Sequence, residues 1–302
     1  MRSRRSAPTA SGRRIAPTPR GRRAAPPTST RLERAVTYGI LTAFAAVSLT
    51  PVIGILATAL GPRDSLDTGF SLPEDGLHWS NFADAWSRGH FGTYLANSVL
   101  VAVAVVAASA VLSILAAYAF GVLRFPGSNT LFHLFVIGLA LPQEALVVPL
   151  YFDLRHAGLT DTYWALILPQ TAQSLAFGVF WMRTYFRNGA PRAVIEAARI
   201  DGAGSWTTLW RVLVPMGRPA ISTMVVITFM WTWNEFLMAL VMVSDEEHRT
   251  VPLGLAFFQG QHGSDTSLLA AAAVLIALPV VVVFLALQRR FIAGMLTGSV
   301  KE

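Results

Sequence analysis

The sequence predicts an all-α integral membrane protein with six transmembrane helices. Of its 302 residues, 53% are hydrophobic and only 14% are charged, and the mean hydropathy of +0.50 is too high for a soluble domain of this size. Six apolar runs each reach the roughly 20 residues that a membrane-spanning helix needs. They are residues 35–60, 95–122, 130–154, 163–185, 220–243 and 267–287.

The charges between these runs predict the orientation of the chain. Basic residues cluster before the first run, in the second and fourth connections, and after the last run, which the positive-inside rule assigns to the cytoplasm. The connections 61–94, 155–162 and 244–266 are acidic and are predicted to face outward. We therefore expect a multi-pass protein of the plasma membrane with both termini in the cytoplasm.

Residues 1–34 are predicted to form a disordered basic cytoplasmic arm. The arm has ten arginines against one acid, Glu33, and its many Pro, Ser, Thr and Gly residues disfavour a packed core. Anionic lipid headgroups are its expected neighbours, and since it carries most of the net charge of +7, no nucleic-acid partner is expected. An organelle transit peptide and a cleaved signal peptide are the alternatives.

The residues that catalysis and cofactor binding most often use are missing or scattered. The chain has no cysteine and its one lysine is Lys301, which excludes thiolate sites and a Walker-type phosphate loop. Its six histidines lack the i, i+4 pairing of a helical zinc site, and no Gly-x-Ser-x-Gly elbow occurs. We expect no catalytic residues, no metal site and no cofactor bound by this chain, which is therefore not predicted to be an enzyme.

A polar stretch, residues 190–219, interrupts the apolar pattern between the fourth and fifth runs. It predicts a helix from Pro191 to Asp201, a turn at Gly202, and a second helix capped by Ser205. Pro215 and Pro219 are expected to interrupt the backbone after it. Small alanines make the first helix thin, and two tryptophans four residues apart, Trp206 and Trp210, form an apolar face on the second. This shape suits docking, although a cytosolic helix-turn-helix without a partner is the alternative.

The same stretch resembles the signature loop of ABC importer membrane subunits. The matching residues are Glu196-Ala197-Ala198, Gly202, and the Val-Leu-Val-Pro of 212–215, and the match continues through residues 199–203. The chain is similar to permeases of binding-protein-dependent carbohydrate importers, the group of the smaller maltose permease subunit. Valines at 212 and 214 depart mildly from that pattern, and Ile195 stands where relatives often have a second acid.

The resemblance implies a function and a set of partners. Residues 35–302 would be the transmembrane domain, and the polar stretch would be a cytoplasmic coupling helix-turn-helix between spans four and five. The expected partners are a second homologous permease, two ATPase subunits that bind ATP and magnesium, and an extracytoplasmic solute-binding protein. A sugar or sugar-like solute would be the cargo; a non-sugar solute, or a stand-alone membrane channel or enzyme, is the alternative. The residues assigned to ATPase coupling are Glu196, Ala197, Ala198, Asp201, Gly202 and Trp206.

Polar residues inside the runs are candidates for a substrate pathway, because ionisable groups in a bilayer usually face a partner or a watery cavity. In the fifth run, Trp231, Asn234, Glu235 and Met238 fall on one face of a predicted helix. Aromatic, amide and carboxylate groups together suit a polyol. Interhelical hydrogen bonding is the alternative. Residues of neighbouring runs that are expected to contribute are Gln143, Glu144, Gln170 and Gln173.

Two further patterns lie near the ends of the membrane-spanning part. Trp79, Phe82, Ala83 and Trp86 have helical spacing and predict a short amphipathic helix on the outer membrane surface, with Asn81, Asp84 and Ser87 on its polar side. Asn97-Ser98 resembles the entry to the family's second span, and residues 288–301 resemble the tail that in the family reaches into the ATPase dimer.

Overall fold

The computed structural model describes residues 31–62, 76–123, 125–188, 192–260 and 263–297. Residues 1–30 of the predicted arm, Pro191, and residues 298–301 of the predicted tail lie outside the described residues. The first helix begins at Arg31, so the last four residues of the predicted arm are helical.

The described residues form a largely helical protein. The α-helices are α1 (Arg31–Ala59), α2 (Ser80–Arg88), α3 (Phe91–Val122), α4 (Ser128–Ala140), α5 (Gln143–His156), α6 (Trp164–Asn188), α7 (Arg192–Ile200), α8 (Ser205–Thr207), α9 (Val214–Met216), α10 (Arg218–Trp233), α11 (Leu237–Met242), α12 (Val251–Gly254) and α13 (Thr266–Thr297). A π-helix covers Thr208–Leu213, and 3₁₀ turns cover Glu246–His248 and Leu255–Phe258. Two-residue strands, β1 (Gln259–Gly260) and β2 (Gly263–Ser264), pair antiparallel.

The contacts divide the chain into two compact units, Met1–Leu49 and Thr50–Glu302. The described part of the first unit is the beginning of α1. The second unit contains the end of α1 and all the other helices, and it holds both candidate sites described below.

Four of the described helices are long and apolar enough to cross a membrane, and the number reaches six if each of two bent helix pairs counts as one span. The third run, 130–154, is not the single helix that its hydropathy predicts. It is divided into α4 and α5, which meet at an angle of 101°. The reason is Pro142, whose ring disfavours helical geometry at the preceding residue, so that Leu141 adopts an extended conformation with ψ 126°.

The fifth run, 220–243, is also interrupted, so the prediction of one continuous helix there is wrong. Helix α10 ends at Trp233, and α11 begins only at Leu237. The Asn234 side chain turns back and donates a 2.7 Å hydrogen bond to the Met230 carbonyl, a local bond typical of asparagine at a helix end. Because Glu235 lies between the helices, it does not share a continuous helical face with Trp231 and Met238.

Helices α3 and α6 pack closely at the centre of the second unit. Gly178 of α6 permits this approach, since a Cβ at that position would lie 2.1 Å from the Ser113 Oγ of α3. Two apolar clusters each contain residues of both α3 and α6. The first includes Val101, Val105, Leu166, Met238 and Met242, and the second includes Ile114, Ala117, Met182, Phe186 and Met224.

The short helix predicted before the second span is present as α2. One detail of that prediction is wrong, because Asn81 is buried instead of lying on a solvated face. Its side-chain amide donates to the carbonyls of Ala59 (3.0 Å) and Gly61 (2.9 Å), where α1 ends. A buried amide can stay there because both of its N–H donors are satisfied.

Candidate functional site

The first candidate site is the 192–217 segment, which joins α6 to α10. Helix α7 ends in a left-handed glycine, Gly202, with φ of +76°. The Ala203 N–H then bonds to the Ala198 carbonyl at 2.9 Å, and the Gly202 N–H bonds to the Arg199 carbonyl at 3.0 Å. This geometry satisfies the last carbonyls of the helix, and it favours glycine because a side chain would strain the positive φ. The predicted glycine turn between two short helices is therefore where it was expected.

Two predictions about the second helix of this segment are wrong. Its N-cap is Gly204, and Ser205 is its first residue and makes no capping hydrogen bond. Pro215 does not interrupt the backbone, because the residues on both sides of it remain helical. The helix continues through the π-helix into α9, and the chain bends by 77° at Gly217, where α10 begins.

The inner face of the 192–217 segment packs on the membrane helices through apolar side chains. Ile195 of α7, with Leu209 and Leu213 of the π-helix, is buried in the same cluster as Met182 and Phe186 of α6. Ala198 of α7 is also buried. The predicted coupling residue Ala198 therefore faces the core.

The other predicted coupling residues lie on the opposite face. Glu196, Ala197, Asp201 and Gly202 are exposed, and Trp206 is 67% exposed. The rings of Trp206 and Trp210 contact each other edge to face, with centroids 5.6 Å apart. Within the described residues, Glu196 makes no ion pair. One side of the segment thus presents the Glu196 carboxylate, the small side chain of Ala197 and the exposed indole of Trp206.

The second candidate site is a cavity of about 540 Å³ beside the breaks in the third and fifth runs. Six of the eight predicted pathway residues line it. The other two, Glu144 and Met238, lie outside this lining, and Glu144 is exposed. The lining residues are Gln143, Gln170, Gln173, Ser174, Ile227, Met230, Trp231, Thr232, Asn234 and Glu235.

Hydrogen bonds connect the polar groups of this cavity. The Gln173 amide donates to the Gln143 Oε1, and the Gln143 Nε2 donates to the Glu235 Oε2 at 2.9 Å. The other carboxylate oxygen, Oε1, accepts from the backbone N–H of Met238 at 2.8 Å and so caps the start of α11. Glu235 therefore positions α11 and α5 as well as lining the cavity.

The lining of the cavity also includes an exposed aromatic side chain and two residues with an unpartnered polar atom. Trp231 is half exposed, and its ring packs edge to face on Phe177 at 4.9 Å. In the part of the chain that the structure describes, the Gln170 Oε1 and the Thr232 Oγ1 are buried without a hydrogen-bond partner. An aromatic face beside unfilled acceptors and amides can bind a molecule that has both C–H faces and hydroxyl groups.

Sequence reasoning missed Ser174 and Thr232 as lining residues. Ser174 is four residues after Gln170, so the i, i+4 spacing of polar residues in the fourth run was a signal that could have identified it. Thr232 follows Trp231 in the same helix, α10, which ends one residue later, and both residues line the cavity. No sequence pattern indicated this, because neighbouring residues of a helix usually face different directions.

A third feature is the 244–251 loop, which the side chains of other elements hold in place. The Asn97 side chain donates to the carbonyls of Glu247 (2.7 Å) and Arg249 (2.9 Å), and it accepts from the Tyr163 hydroxyl at 2.9 Å. Ser98 Oγ accepts from the Val251 N–H at 2.9 Å. The Asn97-Ser98 pair that resembles the family's second span thus anchors a distant loop.

Asp161 and Asp245 also stabilise this loop. One carboxylate oxygen of Asp161 accepts from the N–H groups of Ser244 (2.6 Å) and Asp245 (3.0 Å). The Glu247 N–H donates to Asp245 at 3.1 Å and, with the His248 ring at 3.2 Å, lowers the pKa of the Asp245 carboxyl. No group of three or more His, Asp or Glu side chains able to hold a metal occurs among the described residues.

These features define a class of protein. It is a polytopic helical membrane protein that has a polar cavity where helices are broken and an exposed helical segment between two membrane helices. The chain belongs to the family of binding-protein-dependent transport system inner membrane components, whose model matches residues 109–297. The protein is therefore a membrane component of a transport system.

Several curated proteins are similar over nearly the whole chain. The diacetylchitobiose uptake system permease protein NgcG of Streptomyces coelicolor is 31% identical over 90% of each chain. The trehalose transport system permease protein SugB of Mycobacterium tuberculosis is 31% identical, over 89% of this chain and 98% of that one. The melibiose/raffinose/stachyose import permease protein MelC of Bacillus subtilis is 30% identical, over 90% and 99%. These similarities agree with the resemblance seen in the sequence.

One solved structure shows the same fold. It is a chain from the crystal structure of a bacterial ABC transporter involved in the import of the acidic polysaccharide alginate. The TM-score is 0.72 at 24% sequence identity, and the match covers 88% of this chain and 100% of that chain.

Proposed function

We propose that this chain is a six-span permease subunit of an ATP-driven importer, and that its cargo is a sugar or sugar-like solute. It forms one half of the translocation pathway and pairs with a second, homologous permease. An extracytoplasmic binding protein delivers the solute, and two ATPase subunits bind ATP and magnesium. Both termini and the 192–217 segment lie in the cytoplasm, following the distribution of arginine along the chain.

The observation that carries the cargo proposal is the composition of the 540 Å³ cavity. Trp231 offers a flat apolar surface to sugar C–H groups, and Gln170, Gln173 and Asn234 offer amides to hydroxyls. The named cargoes of NgcG, SugB and MelC are all saccharides, which supports the same class here.

Identification of the ligand held by the partner binding protein tests the cargo directly. We expect a saccharide, and a peptide, polyamine or phosphate ester there would overturn the assignment. In proteoliposomes that contain the complete transporter, Trp231→Ala should lower saccharide uptake by about tenfold, the effect of losing one well-packed aromatic contact. Trp164→Ala is the matched control, because Trp164 is 55% exposed and does not line the cavity.

We propose the exposed face of the 192–217 segment as the ATPase coupling surface. Glu196, unpaired among the described residues, would form an ion pair with an arginine of the ATPase, and Ala197 would allow close approach. Because Ile195, Leu209 and Leu213 join this segment to α3 and α6, a displacement of α7 would be transmitted to the helices beside the cavity.

Co-purification with the ATPase tests the coupling proposal. Glu196→Arg should reduce retention of the ATPase by the solubilised permease, and Glu247→Arg, the same charge change at an exposed position outside this segment, should not reduce it. If the wild-type permease never retains an ATPase when co-expressed with its neighbours, a stand-alone channel or enzyme becomes the better assignment.

A further inference from the structure

A second, strongly polar cavity of about 680 Å³ lies where the ends of three apolar helices meet. Its walls come from the last turn of α3, the first turn of α4, the end of α6, and α7. The proposed solute pathway does not require this cavity, and one residue of the proposed coupling surface, Glu196, also lines it. Because it lies at the ends of apolar helices, it is at the depth of the lipid headgroups.

The charged side chains around this cavity are unbalanced. Arg183, Arg187 and Arg199 line it, and Glu196 is the one acid among its lining residues. Within the described residues, the side chains of Arg187 and Arg199 make no hydrogen bond or ion pair. Two guanidinium groups, each with five N–H donors in a planar fork, are therefore available to an anion.

Arg183 differs from the other two because the protein holds it in place. Its Nε donates to the Phe120 carbonyl at 3.3 Å, and its guanidinium carbon lies 3.5 Å from the centre of the Phe132 ring. This cation–π contact fixes the plane of the guanidinium and leaves its two terminal nitrogens unused by the carbonyl bond. An immobilised arginine loses less entropy when it binds a ligand than a mobile one does.

The beginning of α4 adds donors on the opposite wall. Ser128 and Asn129 line the cavity, and the helix N-cap is Gly127, which provides no side-chain acceptor for the first-turn N–H groups. Helix N-termini favour negative charge, and guanidinium groups match the geometry of phosphate oxygens. The helix N-terminus and the guanidinium groups therefore both favour an anion with phosphate-like oxygens.

We propose that this cavity binds a phosphate group, presented either by the headgroup of an anionic phospholipid or by a free phosphate. Basic pockets between membrane helices at the headgroup level commonly bind anionic lipids in this way. A phosphate bound there would join α7, through Arg199, to α6, through Arg183 and Arg187. Occupancy would therefore stabilise the position of the 192–217 segment against the membrane helices.

The test uses the full-length permease and a pair of double variants with equal charge changes. Arg187→Gln/Arg199→Gln removes two cavity arginines, whereas Arg211→Gln/Arg218→Gln removes two exposed arginines that do not line the cavity. Native mass spectrometry of protein purified in mixed phosphatidylglycerol and phosphatidylcholine measures lipid retention. Calorimetric titration of inorganic phosphate into phosphatidylcholine nanodiscs measures free anion binding.

We expect the cavity variant to lose retention of phosphatidylglycerol, or affinity for phosphate, by about tenfold or more, since each arginine contributes charge-assisted hydrogen bonds. The exposed-arginine variant should retain wild-type binding. Arg187→Lys/Arg199→Lys, which keeps the charge, should recover part of it, and this variant guards against loss of binding by misfolding. Retention of phosphatidylglycerol identifies a lipid site, and binding of phosphate alone identifies a soluble anion.

Equal binding of both probes by wild type and the cavity variant would overturn the proposal. So would an equal loss in the two glutamine double variants, because the effect would then be one of overall charge. If the cavity variant keeps both probes but no longer co-purifies with an ATPase, the arginines belong to a protein docking surface and the phosphate proposal is wrong.

Discussion

The 244–251 loop and the 192–217 segment are attached to the membrane helices in opposite ways. Asn97, Ser98 and Asp161, from other elements, hold the loop through hydrogen bonds to its backbone. Among the described residues, the side-chain hydrogen bonds of residues 192–213 stay inside the segment, as in the 3.1 Å bond from Thr208 Oγ1 to the Gly204 carbonyl. Apolar side chains attach that part of the segment to α3 and α6, and a hydrogen bond from α6 reaches the far end of the segment, from the Tyr185 hydroxyl to the Met216 carbonyl at 2.8 Å.

This difference indicates different mechanical roles. Hydrogen bonds are directional and fix a loop in one position, whereas apolar contacts permit small sliding movements at little cost. The loop is therefore suited to remain a fixed surface, and the segment is suited to shift while it stays attached.

Gly202→Val should abolish transport-coupled ATP hydrolysis while membrane insertion stays intact. A β-branched residue at φ +76° is strained, so the turn that orients α7 against α8 would be lost. Hydrolysis by the reconstituted transporter, with and without the binding protein and solute, measures the effect. Gly204→Ala is the control, because Gly204 has φ of −67° and open space around its Cα. Normal coupling in the valine variant would remove the role assigned to this turn.

Asn97→Ala should destabilise the protein by about 3 kcal/mol, because the Glu247 and Arg249 carbonyls and the Tyr163 hydroxyl all lose a partner. Thermal unfolding in detergent measures the loss. Tyr163→Phe, which removes one of the three bonds, should cost about 1 kcal/mol. If Asn97→Ala costs no more than the phenylalanine variant, the loop is not held as the hydrogen bonds indicate.

Trp206→Ala should leave stability within about 0.5 kcal/mol of wild type, since the side chain is 67% exposed. It should weaken ATPase association by about tenfold, because exposed aromatic side chains often dominate interfaces. Quantitative co-purification with the ATPase measures this effect. The matched control is Trp79→Ala, at a tryptophan that is 65% exposed at the N-cap of α2. A stability loss without an association loss would make Trp206 a structural residue.

The smallest effect concerns pH. Hydrogen bonding from the Glu247 N–H, and to a smaller degree from His248, lowers the pKa of Asp245 below its ordinary value of 3.8. The ionised carboxylate therefore stabilises the turn above pH 3.8, and this contribution is lost as the pH falls through the lowered pKa. Hydrogen exchange at the Glu247 amide should accelerate, relative to neighbouring amides, over that acidic range. Asp245→Asn should show no such dependence, and an identical profile in both proteins would contradict the mechanism.

Hydropathy and charge were sufficient to predict the membrane class and the approximate positions of the apolar runs. The same data could not show that the third and fifth runs are bent or broken, because a window average does not register backbone geometry. Pro142 was visible in the sequence, but proline is tolerated in membrane helices, so its presence alone did not predict the 101° bend.

The candidate sites show a similar limit. Gly202 was predictable, because a left-handed helix end favours glycine. The polar residues of the cavity were predictable from the sequence, but their geometry was not. Glu235 was predicted to lie on a helix face, and it instead caps the start of α11. The burial of Asn81 was missed because its partners, the carbonyls at the end of α1, are about twenty residues away in the chain.

The π-helix at Thr208–Leu213 makes the length of this part of the chain critical. A π-helix contains more residues per turn than an α-helix, and deletion of one residue commonly restores α-helical geometry. Such a deletion would rotate everything before it by about 100°, the angle between successive α-helical residues, and would turn Trp206 away from its present direction. Residue substitutions on the exposed side of 208–213 should therefore be tolerated in evolution far more readily than insertions or deletions.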